Sequence, residues 1–227
     1  MSEEKTDVVG DVFGYVGTII AIYFYLAPVV PFYQVLTNKL SYKDSPGVLL
    51  IMSFLNCILW ADYGLVKNDF MVYFANGIGG TITLVFITVF LIFLGKKNLL
   101  LAGAYNLALM VVLVGILLLF YFVVPMNVTG YAAMIFNVLM YAAPGEKIYR
   151  VFTTQNYKLI PIFSTMGGVA CSLCWLMYGI YGKDLNLIIP NALGLMFAIL
   201  QVTIYLFFYL KTKDKAVEFP GENDEVV

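Results

Sequence analysis

The two tryptophans of the chain, Trp60 and Trp175, stand 115 residues apart, and an asparagine follows each of them at the same spacing, at Asn76 and Asn191. An indole face stacks on the C–H face of a pyranose ring, and an amide both donates to hydroxyl groups and accepts from them. The set is therefore suited to noncovalent recognition of a sugar. The alternative is that the tryptophans form an interfacial belt and the asparagines join helices.

The composition indicates that a membrane surrounds these side chains. Of the 227 residues, 62% are hydrophobic and 12% are charged, against about 45–50% and about 25% in soluble domains. The chain has no His, which removes the usual hydrolytic triads and His-ligated metals, and its 13 Lys and Arg are scattered, unlike the basic patch of a nucleic-acid binder. We therefore expect no enzyme activity, metal, cofactor or nucleic-acid partner.

Apolar segments divide the chain into predicted spans. A spanning helix needs about 20 mostly apolar residues, and the acidic start lacks the positive region of a cleavable signal, so the first apolar stretch is kept as a helix. Seven stretches qualify: 12–36, 46–66, 70–94, 99–124, 129–151, 161–181 and 185–210.

An internal repeat organises these spans. The segment WADYG at 60–64 returns as WLMYG at 175–179, and Ala75-Asn76 returns as Pro190-Asn191. Three helices end on the opposite face from where they began, so two parallel units need one helix between them, and the uncharged stretch 99–124 fits that place. The predicted fold is an all-α membrane protein with seven transmembrane helices in a 3+1+3 arrangement, and parallel repeats of this kind hold substrate near mid-membrane.

The repeat also sets the expected segments of the chain. They are an extracellular N-terminal segment 1–11, a first three-helix repeat 12–94, a linker helix with its loops 95–128, a second three-helix repeat 129–210 and a disordered cytosolic tail 211–227.

The paired Trp-x-x-Tyr-Gly motifs, the Tyr-Ala-Ala-Pro at 141–144 and the Pro-Asn at 190–191 resemble the SWEET family of sugar transporters. The resemblance covers about residues 12–210. It implies a seven-helix transporter that forms homo-oligomers, and it implies that Trp60, Trp175, Asn76 and Asn191 line the sugar site.

Helix geometry places the four side chains at one depth. Trp60 and Asn76 are each eight residues from Asn68 at a hairpin tip, and Trp175 and Asn191 are each eight from Lys183. At 1.5 Å per residue, eight residues reach about 12 Å inward, near the middle of a core about 30 Å thick. This depth argues against an interfacial belt.

Four prolines and two tyrosines also recur with the repeat. The prolines at 28, 46, 144 and 161 could be ordinary kinks or helix starts, whereas the resemblance implies a proline tetrad that lets an inner gate swing. The tyrosines, Tyr63 and Tyr178, follow each Trp by three residues and are plausible outer-gate residues, with an interfacial belt as the alternative. The candidate gating or hinge residues are Pro28, Pro46, Pro144, Pro161, Tyr63 and Tyr178.

Two further residues receive separate predictions. Asp62 lies two residues, or about 200° of helical turn, from Trp60, so we expect it to face away from the substrate path in a packing role. An intramembrane carboxylate is nevertheless a candidate functional group, which keeps Asp62 as a possible proton site. Asn127-Val128-Thr129 is a candidate glycosylation acceptor.

These observations favour a passive sugar carrier that works by alternating access, with a glucose-like hexose as the substrate. One alternative is a proton-coupled carrier of amino acids or other polar solutes, for which Asp62 is the candidate coupling group. A seven-helix receptor has the same helix count, but the repeat argues against it. A retinal protein also has seven helices, but the seventh stretch, 185–210, contains no Lys that could form a Schiff base with retinal.

Charge asymmetry predicts the orientation, with the N-terminus outside. The favoured location is the plasma membrane, and the alternative is an internal membrane. Cytoplasmic loops retain Lys and Arg, and with the N-terminus outside, ten basic residues face the cytosol and three face outward. The cytosolic group is Lys39, Lys43, Lys96, Lys97, Lys147, Arg150, Lys158, Lys211, Lys213 and Lys215, and the outer group is Lys5, Lys67 and Lys183.

We predict that an epitope tag at the C-terminus is stained only after cells are permeabilised, because the basic side remains in the cytosol. A tag at the N-terminus is the control and should be stained on intact cells. Staining of the C-terminal tag on intact cells would overturn the orientation.

Overall fold

The computed structural model is all-helical over the residues that it describes, which are 2–27, 29–30, 33, 37, 47–94 and 99–218. The helices are α1 Ser2–Leu26, α2 Gly47–Lys67, α3 Phe70–Leu94, α4 Leu99–Phe122, α5 Met126–Leu139, α6 Ala142–Thr154, a 3-10 turn Tyr157–Leu159, α7 Ile162–Tyr181 and α8 Leu185–Glu218.

The predicted fifth span, 129–151, is not one helix. It is divided into α5 and α6 at Met140 and Tyr141. Pro144 explains the break, because its ring nitrogen carries no hydrogen to bond the carbonyl of Met140, four residues earlier. Helices in a membrane tolerate such breaks where neighbouring groups satisfy the freed backbone.

The predicted ends also needed correction. Helix α1 begins at Ser2, so most of the predicted N-terminal segment 1–11 is helical. Helix α8 continues to Glu218, so residues 211–218 are helical and do not belong to a disordered tail. The polar residues at both ends are compatible with helix, and apolarity alone therefore could not locate these boundaries.

Among the described residues, five helices contain segments that are long and apolar enough to cross a membrane by length and composition, and α4 contains a shorter apolar segment, Gly103–Ile116. The five segments are Val8–Leu26, Leu50–Lys67, Phe70–Ile92, Ile162–Tyr181 and Leu185–Lys213.

The helices pack as two related units that exchange contacts. Within the first repeat α1 and α2 both contact α3, and within the second repeat α5 and α7 both contact α8. Between the repeats, α1 packs on α7 and α2 packs on α5. The linker helix α4 contacts only the first repeat among the principal contacts, through α2 and α3. This arrangement places an interface between the two repeats, where a substrate could lie.

In each of the hairpins α2–α3 and α7–α8, a glycine allows the two helices to approach closely. A Cβ atom built at Gly64 would lie 2.5 Å from the backbone nitrogen of Tyr73, and one built at Gly179 would lie 3.2 Å from the backbone nitrogen of Ile188. The chain turns between the helices through Asn68, which has a φ of 58°. These contacts hold α2 against α3 and α7 against α8, and so fix the two turns at one end of the bundle.

We predict that Gly64→Ala destabilises the folded protein by about 1–3 kcal/mol, because the added methyl group meets backbone that cannot rotate away. Gly77→Ala is the matched control, since a Cβ there meets nothing within 4 Å and Ala favours helix over Gly by roughly 0.5–1 kcal/mol. The midpoint temperature of thermal unfolding in detergent should therefore be lower for Gly64→Ala and not for Gly77→Ala. Equal midpoints for the two variants would contradict the packing described.

Candidate substrate site

A cavity of about 180 Å³ lies between the two repeats. All four residues predicted to contact a sugar line it: Trp60, Asn76, Trp175 and Asn191. The structure thus brings together side chains from α2, α3, α7 and α8. We refer to this space as the central cavity.

The two tryptophans are buried and held edge-on by tyrosines of their own helices. Trp60 is 4% exposed and Trp175 is 9% exposed. The ring of Trp60 meets that of Tyr63 at 5.7 Å and 84°, and the ring of Trp175 meets that of Tyr178 at 5.6 Å and 89°. Edge-to-face contacts of this kind fix ring orientation, so each indole has a defined direction in the cavity.

The two asparagines are oriented by their own helices. Nδ2 of Asn76 donates to the carbonyl of Val72, and Nδ2 of Asn191 donates to the carbonyl of Leu187, both at 2.8 Å. Oδ1 of Asn76 also accepts a hydrogen bond from Tyr25 at 3.3 Å. Each Nδ2 has a second hydrogen, and an amide oxygen has two lone pairs, so both amides can still bond a ligand.

Tyr141, the counterpart of Tyr25 in the second repeat, forms a different hydrogen bond. Tyr141 donates to the carbonyl of Pro190 at 2.7 Å, whereas Tyr25 donates to Asn76. Within the described part of the chain, no side chain donates to Oδ1 of Asn191. This oxygen is the more available acceptor of the two.

Two asparagines that line the central cavity, Asn56 and Asn137, were not predicted from the sequence. Oδ1 of Asn56 is buried without a hydrogen-bond partner among the described residues. The repeat counterpart of Asn56 is Cys171, and that of Asn137 is Ala21. Both counterparts also line the cavity. The signal was present in the sequence, because Asn56 lies one turn from Trp60, but it required treating that whole face of α2 as cavity lining.

One end of the central cavity is closed by hydrogen bonds exchanged between the repeats. Tyr63 of the first repeat donates to the carboxylate of Asp184, which lies 2.9 and 3.0 Å away. Tyr178 of the second repeat donates to Asp69 at 2.7 Å. The two pairs are related by the repeat, so each repeat supplies one donor and one acceptor.

The two aspartates are held in place by the helices that they begin. Oδ1 of Asp69 accepts from the backbone nitrogen of Val72 at 3.3 Å, and Oδ1 of Asp184 accepts from that of Asn186 at 3.0 Å. A carboxylate at a helix N-terminus bonds free N–H groups and opposes the positive end of the helix dipole. The acceptors of the closed end are therefore positioned by local structure.

Two further side chains reinforce this end. Lys67 forms an ion pair with Asp184 and lies 3.9 Å from Asp69, and Asn186 donates to the hydroxyl of Tyr63 at 3.1 Å. The repeat counterpart of Lys67 is Gly182, so this cation belongs to one repeat only. Asp69 and Asp184 directly follow the hairpin-tip residues Asn68 and Lys183, and the sequence pattern did not identify them as acceptors.

The predicted hinge prolines have different local structures. Pro144 lies in the first turn of α6, just after the break in the fifth span, and Pro161 precedes the first residue of α7. The carbonyl of Pro144 accepts a hydrogen bond from Gln201 at 3.2 Å. Pro28 and Pro46 lie outside the described residues.

Asp62 and Asn127 both lie apart from the central cavity. Asp62 is fully buried on α2, is absent from the cavity lining, and neither of its carboxylate oxygens has a hydrogen-bond partner within the described ranges. Asn127 is exposed in the first turn of α5. Asp62 is thus buried as an isolated acid, which is costly in the ionised form.

A family model described as "Sugar efflux transporter for intercellular exchange" matches residues 11–98 and again residues 127–213. The chain belongs to the SWEET family. This membership decides in favour of a transporter, and against the seven-helix receptor and an enzyme.

Plant members of the SWEET family align along most of the chain. The bidirectional sugar transporter SWEET7b of Oryza sativa subsp. japonica is 32% identical, over 94% of this chain and 84% of that protein. SWEET1a of Sorghum bicolor is 34% identical, over 90% and 78%. SWEET10 of Arabidopsis thaliana is 31% identical, over 94% and 75%.

The solved structure of a eukaryotic SWEET transporter superposes with a TM-score of 0.80, at 24% identity, over 90% of this chain and 98% of that one. This likeness confirms the predicted fold class, a seven-helix membrane protein with two three-helix repeats. The multi-pass membrane location follows from the same fold and from the apolar helices.

We predict that Tyr178→Phe opens the closed end of this SWEET protein. A hydrogen bond to a charged group contributes about 1.5–3 kcal/mol, so its loss should shift the equilibrium towards opening by about tenfold or more. Spin labels at Asn68→Cys and Lys183→Cys, with Cys171→Ala to remove the native thiol that lines the cavity, report the distance between the two turns.

The control for this measurement is Tyr149→Phe, because Tyr149 is 68% exposed on α6. A longer distance should become populated in Tyr178→Phe and stay unpopulated in Tyr149→Phe. Identical distance distributions in both variants would show that the hydrogen bond between Tyr178 and Asp69 does not hold this end closed.

Proposed function

We propose that the protein carries sugar passively across a membrane, by exposing the central cavity to one side and then to the other. The observation that carries this proposal is the convergence of Trp60, Asn76, Trp175 and Asn191 on one cavity between the repeats. The related plant proteins named above are called bidirectional sugar transporters, which supports the same substrate class.

The chemistry of the cavity suits a glucose-like hexose. The indoles of Trp60 and Trp175 present apolar faces for the C–H side of the ring. The amides of Asn76, Asn191 and Asn56 supply both donors and acceptors for its hydroxyl groups.

Alternating access follows from the two ends of the cavity. The reciprocal bonds of Tyr63 with Asp184 and of Tyr178 with Asp69 act as the outer gate. The break before Pro144 and the helix start at Pro161 give the other end places where the second repeat can bend. Rocking of the repeats about these points exposes the sugar first on one side and then on the other. No bond in the sugar is made or broken.

The location and assembly of the protein belong to the same proposal. The charge asymmetry supports a cytosolic C-terminus and an N-terminus on the opposite side. The plasma membrane is the proposed location, with an internal membrane as the alternative. Assembly into a homo-oligomer is supported by the family resemblance. Glycosylation at Asn127 is supported by its exposure and by its predicted position outside the cell.

The second candidate function is a proton-coupled carrier, and one observation favours it. The carboxylate of Asp62 is fully buried, and neither oxygen is bonded within the described residues. An isolated carboxylate inside a membrane-spanning helix is a candidate functional group. However, Asp62 does not line the central cavity, and coupling requires contact between the proton site and the substrate path.

We predict that Asn191→Ala lowers D-glucose uptake roughly 5- to 150-fold, because substrate hydroxyls lose a partner that contributes about 1–3 kcal/mol in a buried site. Trp175→Ala should lose uptake as well, through the stacking surface. Radiolabelled uptake in transporter-deficient cells, normalised to surface expression, measures both. Asn156→Ala is the control, because Asn156 is exposed and lies outside the cavity. Normal uptake by correctly delivered Asn191→Ala would rule out the proposed site.

We also predict that transport is equilibrative, because none of the four proposed contact residues titrates. In reconstituted vesicles with an inward proton gradient, the internal D-glucose concentration should reach the external concentration and not exceed it. Asp62→Asn should keep most of the flux, since it preserves shape and removes the charge. Accumulation above the external concentration, abolished by an uncoupler and by Asp62→Asn, would favour the proton-coupled carrier.

A further inference from the structure

A second cavity, of about 240 Å³, lies in the second repeat on the side away from the closed end. On α8 its lining continues the face that carries Asn191, through Gly194, Ala198 and Gln201. Gln201 is ten residues from Asn191, or about 15 Å farther along the helix. We refer to this space as the inner cavity. A sugar that leaves the central cavity away from the closed end passes beside it.

The inner cavity combines hydroxyl groups, an amide and aromatic rings. Its polar lining comes from Ser164, Thr165 and Ser172 on α7, from Gln201 on α8 and from Lys147 on α6. Phe24 of α1 and the two hinge prolines Pro144 and Pro161 also line it. Tyr141 and Phe197 also line it and are stacked on each other at 5.6 Å and 25°. These are the groups that recognise polyols, and the central cavity uses the same types.

The polar groups are held in fixed positions. Gln201 and Thr165 are each 7% exposed. Nε2 of Gln201 donates to the carbonyl of Pro144 at 3.2 Å, and the hydroxyl of Thr165 lies 3.4 Å from Oε1 of Gln201. A lone pair of Oε1 remains for a ligand. Preorganised groups of this kind lower the entropy cost of binding.

The space itself is maintained by a glycine. A Cβ atom built at Gly168, which lines the inner cavity, would meet nothing within 4 Å. A side chain at this position could therefore occupy the cavity without displacing protein atoms. Because Gly168 has no side chain, this part of the inner cavity stays open.

The first repeat carries other residue types at the equivalent positions. The repeat counterparts of Thr165, Gln201 and Ser172 are Leu50, Phe86 and Cys57. Leu50 is 3% exposed and belongs to an apolar cluster against which Phe86 packs. At these three positions the polar lining is therefore a feature of the second repeat.

We propose that the inner cavity is a second sugar-binding subsite, occupied by the substrate between the central cavity and the open end. The proposal rests on the proposed function, since a sugar must travel this path. The stacked pair of Tyr141 and Phe197 contacts the C–H face of the ring, and Gln201 accepts from its hydroxyl groups. Because Leu50 and Phe86 of the first repeat do not offer the groups of Thr165 and Gln201, the substrate leaves along the side of the second repeat.

Cysteine protection tests the subsite directly. Ser164 is exposed and lines the inner cavity, so Ser164→Cys, combined with Cys171→Ala, provides a thiol at its mouth for N-ethylmaleimide in detergent-solubilised protein. We expect D-glucose to slow the alkylation severalfold and L-glucose to leave it unchanged. The protection should persist when Asn191→Ala disables the central cavity. The Cys171→Ala protein without Ser164→Cys gives the background rate.

A cavity-filling variant localises the protection. Gly168→Leu occupies the inner cavity and should abolish protection by D-glucose. The matched control is Gly77→Leu, at another position where a Cβ meets nothing within 4 Å, and it should keep the protection. Protection that survives Gly168→Leu would place the sugar elsewhere and overturn the proposal.

The remaining outcomes separate this inference from the proposed function. Equal alkylation rates with and without D-glucose, in a protein that takes up D-glucose, would show a water-filled vestibule and overturn the subsite alone. Protection that is lost with Asn191→Ala would assign the effect to the central cavity and also overturn the subsite. Failure of D-glucose uptake by the parent protein would overturn the proposed function itself.

Discussion

The exchange of hydrogen bonds between the two repeats is the interaction on which the rest of the structure depends. Tyr63 bonds Asp184 and Tyr178 bonds Asp69, so neither repeat can close this end alone. The same tyrosines contact the tryptophans of the central cavity edge-on. Closure of one end and orientation of the indoles therefore rely on the same two rings.

Glycines in the neighbouring helices leave space for the rings of Tyr63 and Tyr178. A Cβ atom at Gly14 on α1 would lie 2.9 Å from the ring of Tyr178, and one at Gly130 on α5 would lie 2.8 Å from the ring of Tyr63. Gly14 and Gly130 correspond in the repeat. Each first helix of a repeat thus makes room for the tyrosine of the other repeat, which explains why α1 packs on α7 and α5 packs on α2.

Counting residues from the hairpin tips was sufficient to predict a common depth for Trp60, Asn76, Trp175 and Asn191. The four side chains line one cavity because a helix of fixed rise converts sequence distance into depth, and because a repeat supplies each residue twice. The helical turn of about 200° between Trp60 and Asp62 predicted that Asp62 faces away from the cavity, and Asp62 is absent from its lining.

Features that depend on contacts between repeats could not be predicted in the same way. Asp69 and Asp184 have the sequence pattern of turn residues, and only the packing of the repeats brings a tyrosine to each of them. Asn56 and Asn137 break the repeat, so self-similarity does not reveal them. The division between α5 and α6 arises where Pro144 cannot bond the carbonyl of Met140, and a hydropathy pattern does not show where a proline divides an apolar stretch.

The most direct test of the central claim uses the two tryptophans as reporters, because both line the central cavity and the chain has no others. Intrinsic tryptophan fluorescence of the purified protein should change saturably with D-glucose and should not change with L-glucose at the same concentrations. The response should disappear in Asn191→Ala. A response that is absent, or that is equal for the two enantiomers, would contradict sugar recognition in the cavity between the repeats.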